Sequence, residues 1–179
     1  FTCSSPPNES GWSYSAGYKT ITCAGNSYLG PYGSGSTLTS PKFSLNSHKG
    51  IIVSFNLAWI DSWDDETFKI TADGTQVFAK ARSYSQQTSN TCHTDWKDGY
   101  ESLITFGFNH TASTLTLVIT SNLNEDVSNE AWGICSFTIT PTATPVTSSG
   151  KEITVIVTQA TTFFACSNPS NEAYWSYTR

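Results

Sequence analysis

The chain has 179 residues, 37% hydrophobic and only 13% charged, with a formal net charge of −5. Charge at half the roughly 25% usual in soluble domains excludes a coiled coil or long-helix protein, and 6 Trp, 8 Tyr and 10 Phe are too much apolar surface for a disordered chain. The acidic balance removes the attraction on which nonspecific nucleic-acid binding relies, and no apolar run reaches the ~18 residues a membrane-spanning helix requires. What replaces the missing charge is hydroxyl, 26 Ser and 26 Thr. Thr and aromatics favour strands and Gly, Pro, Asn and Ser favour turns, so the composition points to an all-β chain.

In chain order, Tyr18–Cys23 and Pro41–Leu45 are weak strand candidates. Ile51–Ile60 is a strong one, with Val53, Phe55, Leu57 and Trp59 on one face and Ser54, Asn56 and Ala58 on the other. Phe68–Thr71 and Gln76–Ala79 flank Asp73-Gly74, a two-residue hairpin signal. Leu103–Phe108, Ser113–Ser121 and Trp132–Thr140 complete the set, and no segment reads as a helix. Short strands at this spacing predict two packed antiparallel sheets, a β-sandwich or jelly roll, over residues 1–140.

The composition changes at Pro141. Residues 141–150 read as a Pro/Thr/Ser linker open to O-glycosylation, and residues 151–179 as a C-terminal extension strand with an aromatic tail. Ile153, Val155, Ile156, Val157, Phe163 and Phe164 make the most β-prone stretch of the chain, and Tyr174, Trp175 and Tyr177 are embedded in the tail. A lone apolar strand seeks a partner: either it returns to its own sandwich or it enters the sheet of a neighbouring copy. The second route, repeated head to tail, builds a filament, and the leading expectation is therefore an extracellular structural glycoprotein whose partners are copies of itself. The alternative is a carbohydrate-binding, lectin-like adhesion module in which Trp12, Tyr14, Trp63 and Trp96 stack on sugar rings.

Five scattered cysteines, Cys3, Cys23, Cys92, Cys135 and Cys166, lack metal-ligand spacing and imply disulfides in an oxidising compartment. Cys3 with Cys23 and Cys92 with Cys135 is the preferred pairing, leaving Cys166 over; Cys166 with Cys3 is the other option. Sequons at Asn8 and Asn109 fit N-linked glycans, and the start at Phe1 fits a signal peptide already removed, so the expected location is extracellular or the cell surface.

Chemistry is sparse. The three histidines form no metalloprotease motif, no nucleophile elbow or phosphate-binding loop is present, and Gly33-Ser34-Gly35-Ser36 reads as a turn, so no enzyme activity is expected and no cofactor is required. The acidic run Asp61-Ser62-Trp63-Asp64-Asp65-Glu66 lies between two predicted strands, and a second patch around Glu125 and Asp126 leads to Glu130. Asp61, Asp64, Asp65, Glu66 and Glu130 are candidate ligands for structural calcium, which wants six to eight oxygens, or else a solvated acidic turn.

Ile60–Glu66 with Asp73-Gly74, the turn Ser47-His48-Lys49 and the late Asn129-Glu130-Ala131-Trp132-Gly133-Ile134 resemble a secreted jelly-roll module that recurs in cysteine-rich surface proteins of ciliates and other protists. The late segment is similar to the D-E-x-W-G/A-I-D-N ending of galactose-binding-like, MAM-like and reelin-type sandwiches. The resemblance covers roughly residues 10–140. It implies adhesion or sugar binding rather than catalysis, with a loop carboxylate on structural calcium. Cys135 stands where that pattern has Asp, which departs from a calcium ligand at that position.

Overall fold

The structure, a computed structural model, describes residues 11–92 and 96–147. Twelve strands are present among them: β1 (Ser13–Tyr14), β2 (Thr20–Cys23), β3 (Asn26–Tyr32), β4 (Leu38–Thr39), β5 (Phe43–Ser44), β6 (Gly50–Asp61), β7 (Thr67–Ala72), β8 (Thr75–Ala81), β9 (Gly99–Asn109), β10 (Thr114–Leu115), β11 (Leu117–Ser121) and β12 (Glu130–Thr142). One five-stranded sheet runs β1-β4-β11-β7-β8 and the other β2-β3-β12-β6-β9, with β5 and β10 as a separate pair; all the pairings are antiparallel. The chain is an antiparallel β-sandwich.

The alternation read in the sequence places the core. Val53, Phe55, Leu57 and Trp59 of β6 are fully buried, and Phe68 and Ile70 face them from β7. Phe55 is surrounded by the rings of Phe68, Phe78, Phe106 and Phe137 at centroid distances of 5.7 to 6.4 Å, mostly edge-on or tilted, the arrangements ring quadrupoles prefer. Asp73 and Gly74 both take positive φ, as the two-residue turn between β7 and β8 requires.

Three features depart from the sequence reading. The predicted strand 113–121 breaks at Thr116: Leu115 pairs with Phe43 in the small sheet, while Leu117 pairs with Ala72. Asp73 makes that break by accepting the Thr116 N–H on Oδ1 at 2.9 Å and donating its own N–H to Thr116 O. β3 is not announced by the sequence, because Gly30, Pro31 and its polar start hide the alternation. Third, the chain does not leave the sheet at Pro141, since β12 continues opposite Ile51 and Gly50 to Thr142. Proline is tolerated there because β3 pairs with β12 only at Trp132 and Ile134, leaving that side of Pro141 without a ladder. Val146 then donates its N–H to Asn109 Oδ1 at 2.7 Å and lies over Gly50 and Gly107, where a β-carbon would meet its methyl groups at 2.7 Å. The assembly residues Ile153 to Phe164 and Tyr174 to Tyr177, with Cys3, Asn8 and Cys166, lie outside the described residues.

The outer face of the second sheet is also buried at one end. Across β12, β6 and β9, Gly133, Ala58 and Tyr100 are successive partners, and a β-carbon on Gly133 would meet Tyr28 Cβ at 3.0 Å. Two small residues in the middle strands thus let Tyr28 and Tyr100 approach over them, ring centroids 6.5 Å apart. Cys23, on the edge strand β2, bonds Cys92, which precedes the opposite edge strand β9. This corrects the expected pairing of Cys23 with Cys3 and of Cys92 with Cys135: the two cysteines are far apart in sequence, but the segment before β9 folds back across the sheet. Cys135 is disulfide-bonded as well.

A second cross-link lies at the other end. His48, 6% exposed, contacts Asn46 O through Nδ1 at 2.6 Å and His110 Nδ1 through Nε2 at 2.7 Å, and His110 Nε2 reaches Asp73 Oδ2 at 3.1 Å.

The Cys23–Cys92 bridge closes a sequence separation of 69, long enough for a large loop-entropy effect. Replacing both cysteines by Ser is expected to lower unfolding free energy by about 2–4 kcal/mol in urea denaturation, with the far-ultraviolet spectrum retained.

Candidate functional site

Three loops meet at the end of the sandwich where β6 stops and β12 starts. The first, residues 62–66, turns sharply because Asp61 takes φ 64° and Asp65 φ 88°, values that Asp adopts more readily than most residues. It is fastened to the start of β12: Ser62 donates N–H and Oγ–H to Asn129 O, and Trp63 Nε1 donates to Ala131 O at 2.7 Å. It is fastened also to the segment after β8, where Asp65 N donates to Arg82 O and Arg82 N to Glu66 O.

The register that pairs Glu130 with Asp61 brings Glu130 beside this loop. One carboxylate oxygen each from Asp64, Glu66 and Glu130 lies within 4.8 Å of the others. Asp64 is exposed, whereas Glu66 and Glu130 are 6% and 2% exposed. Glu66 Oε2 accepts the Asp64 N–H at 2.7 Å. Burial, then the hydrogen bond with the Asp64 side chain, raises the Glu66 carboxyl above its ordinary range. Burial, then the charges of Glu66, Glu125 and Asp64, push Glu130 up to about 7, against the partial relief of a backbone hydrogen bond from Asn124. Of the five sequence-predicted ligands the structure gathers three. Asp61 and Asp65 fall outside the group: Asp61 is fully buried in the β6 ladder, its N–H donated to Asp98 Oδ1, and Asp65 is exposed.

The third loop carries residues the sequence did not single out. Asp98 is fully buried and accepts from the N–H groups of Asp61, Thr91 and Cys92 at 3.2, 2.7 and 2.8 Å and from Tyr100 Oη at 3.3 Å. A single Asp before a Gly reads as a turn, and nothing local announces four donors arriving from three directions. Arg82 donates Nη1 to Glu101 Oε1 at 2.9 Å and lies 5.9 Å from the Trp59 ring centroid. Gly99 admits it, since a β-carbon there would meet Arg82 Nη2 at 2.5 Å. Beyond Arg82 a short 3-10 turn, Tyr84–Gln86, sets Tyr84 edge-on to Trp96 at 6.2 Å, and Lys97 Nζ lies 5.8 Å from the Tyr84 ring centroid.

Of the aromatics proposed to stack on sugar, Trp12 and Trp63 are core residues at 8% and 0% exposure, because a sandwich of this size fills its interior with large rings. Tyr14 is half-buried against Tyr18, and Trp96 is 44% exposed. Asn109 is exposed at the end of β9.

No protein-family model and no curated protein matches this chain. Among solved structures, the chain is similar to the C-terminal CBM6 of LamC, a marine laminarinase from Zobellia galactanivorans, at 12% identity and TM-score 0.43, over 74% of this chain and 90% of that one. It is similar to the carbohydrate-binding module CBM6cm-2 of Cellvibrio mixtus lichenase 5A, in complex with cellotriose, at 15% identity and TM-score 0.43, over 75% and 90%. It is likewise similar to a CBM35 from Paenibacillus barcinonensis at 16% identity and TM-score 0.43, over 75% and 95%. Among the described residues no helix is long and apolar enough to cross a membrane.

The raised Glu130 carboxyl fixes a pH dependence. A carboxyl at about 7 when folded and near 4.5 when unfolded contributes stability that is full below pH 4.5 and lost as pH rises through 7. In chelator-treated solution Glu130→Gln is therefore expected to match the wild type at pH 5 and to exceed it at pH 8 by about 1–3 kcal/mol, read by urea denaturation at each pH.

Proposed function

We propose that the protein is a non-catalytic, extracellular carbohydrate-binding module whose contact surface lies at the loop end of the sandwich, around Trp96 and Tyr84. The observation that carries this reading is an indole held out of the core. Trp12, Trp59, Trp63 and Trp132 are all buried, whereas Trp96 keeps 44% of its surface in solvent beside the ring of Tyr84. An exposed indole offers a flat apolar face, and the C–H face of a pyranose ring covers such a face while its hydroxyls stay available for hydrogen bonds. Those hydroxyls have polar partners nearby, because the segment that holds Tyr84 and Trp96 also carries Lys97 and Gln86. The Cys23–Cys92 bridge and the hydrogen bonds of Asp98 with Thr91 and Cys92 fix positions on both sides of Trp96 before a ligand arrives, which lowers the ordering cost of binding.

The disulfides support an oxidising compartment, and Asn109, exposed within its sequon, supports passage through a glycosylating one.

Isothermal titration against a panel of soluble polysaccharides and their oligosaccharides tests the reading. At least one glycan is expected to bind, and Trp96→Ala to weaken it about tenfold or more, equivalent to ~1.4 kcal/mol, with the circular dichroism spectrum unchanged. A panel without binding, or a Trp96→Ala protein that binds as tightly as the wild type, overturns it.

A further inference from the structure

We infer that residues 164–178 are the opening segment of a second sandwich of the same design, so that the chain carries one sandwich and the start of the next. Phe1-Thr2-Cys3-Ser4-Ser5-Pro6-Pro7-Asn8-Glu9-Ser10-Gly11-Trp12-Ser13-Tyr14-Ser15 returns 163 positions later as Phe164-Ala165-Cys166-Ser167-Asn168-Pro169-Ser170-Asn171-Glu172-Ala173-Tyr174-Trp175-Ser176-Tyr177-Thr178. Nine of the fifteen positions are identical, without a gap. The matches include a Cys, a Pro and a Trp, residue types that occur only 5, 7 and 6 times in the whole chain. Self-similarity at a fixed offset is the mark of a repeated structural unit, and 163 residues is the size of one domain.

Of the first segment, residues 11–15 fall among the described residues, and the shared ones there do structural work. Trp12 is 8% exposed and packs edge-on to Phe137 at 5.7 Å. Ser13 and Tyr14 form β1, paired with Thr39 and Leu38 of β4. Ser15 Oγ accepts the Thr37 N–H at 2.7 Å, and its counterpart Thr178 keeps the hydroxyl. The repeated segment therefore carries the indole, the ladder residues and the acceptor that this seat requires. One sandwich has one such seat, and residues 12–15 fill it. A second copy of the segment needs a second body, with its own β4 and its own Phe137.

The cysteines count the same way. Cys23 bonds Cys92, and Cys135 is disulfide-bonded, which leaves Cys3 or Cys166 as its partner within the chain. Cys3 belongs to the segment whose Trp12 lies against Phe137, two residues from Cys135, and is assigned to it. One sandwich then uses four cysteines, and Cys166, in the position of Cys3, is the first of the next set, which accounts for the odd total. One position departs from the repeat. Gly11 takes φ 90°, and a β-carbon there would meet Pro41 Cβ at 3.0 Å, whereas its counterpart is Tyr174. Successive units would repeat the Trp96 surface along one chain; on the reading of that surface as sugar-binding, linked sites gain affinity for a polymer through effective concentration.

In the test the full chain is extended after Arg179, which stands at the position of the exposed Ala16, by a second copy of residues 17–163. One form keeps Tyr174 and another carries Tyr174→Gly. At least the Tyr174→Gly form is expected to give two protease-resistant bodies, with Cys166 bonded to a Cys135 peptide in mass-spectrometric disulfide mapping. Trp175→Ala is expected to lower the unfolding midpoint of the added body by about 5 °C or more and to leave the first body unchanged. In the unextended chain Cys3 is expected to bond Cys135, with Cys166 joined to neither. An added body digested in both forms, a Trp175→Ala substitution without effect on it, or a bond from Cys166 to Cys3 or Cys135 in the unextended chain overturns the inference. So does exchange of the tail between copies, read as a dimer of the unextended chain that Trp175→Ala dissolves. None of these readouts depends on sugar binding, so their failure is distinct from a failure of the glycan titration.

Discussion

Asp98 accepts hydrogen bonds from two successive N–H groups of the segment that precedes it, from the last residue of the long central strand and from a tyrosine on β9. A fully buried carboxylate is stable only when its oxygens are satisfied in this way, and satisfying them holds Thr91 and Cys92 beside Asp98. The Cys23–Cys92 bridge and the paired small residues Ala58 and Gly133 serve the same end: one ties the segment to the far edge strand, and the other leaves room beneath the tyrosines. The exposed Trp96 beside the half-buried Tyr84, and the acidic group, both follow from where Thr91, Cys92, Asp98 and the loop after β6 come to rest.

The two ends of the sandwich are chemically unlike. At one end β6 finishes in a loop whose carboxylates converge without an ion pair to a basic side chain among the described residues. At the other, His48, His110 and Asp73 form a closed chain that links the turn before β6, the end of β9 and the β7–β8 hairpin. Asp73 shows how a turn residue acquires tertiary work: its conformation makes the hairpin, and its side chain breaks the strand opposite at Thr116. The polar groups of the histidine end contact one another. At the acidic end burial and neighbouring carboxylates instead raise the Glu66 and Glu130 carboxyls above their ordinary range.

Much of the sandwich could be read along the chain. β6 is legible because its apolar residues recur strictly every second position, and the β7–β8 hairpin because Asp-Gly accepts two positive φ values. β3 was not legible, since Asn26, Ser27, Gly30 and Pro31 make up more than half of it and leave no alternation. The aromatic assignments failed for a similar reason. Trp12, Trp63 and Trp96 are alike in composition, and only packing distinguishes the two that fill the core from the one left in solvent.

Alone, the order of residues determined that this chain forms antiparallel strands, because side-chain alternation and turn chemistry act over a few neighbours. It also marked the loops in which acidic residues gather. The disulfide partner of Cys23, the hub at Asp98 and the choice of three carboxylates out of five were settled only in three dimensions, because each depends on register and on which strands lie side by side. A one-residue change of register between β6 and β12 would turn Glu130 to the opposite face and dissolve the acidic group without altering a single local preference.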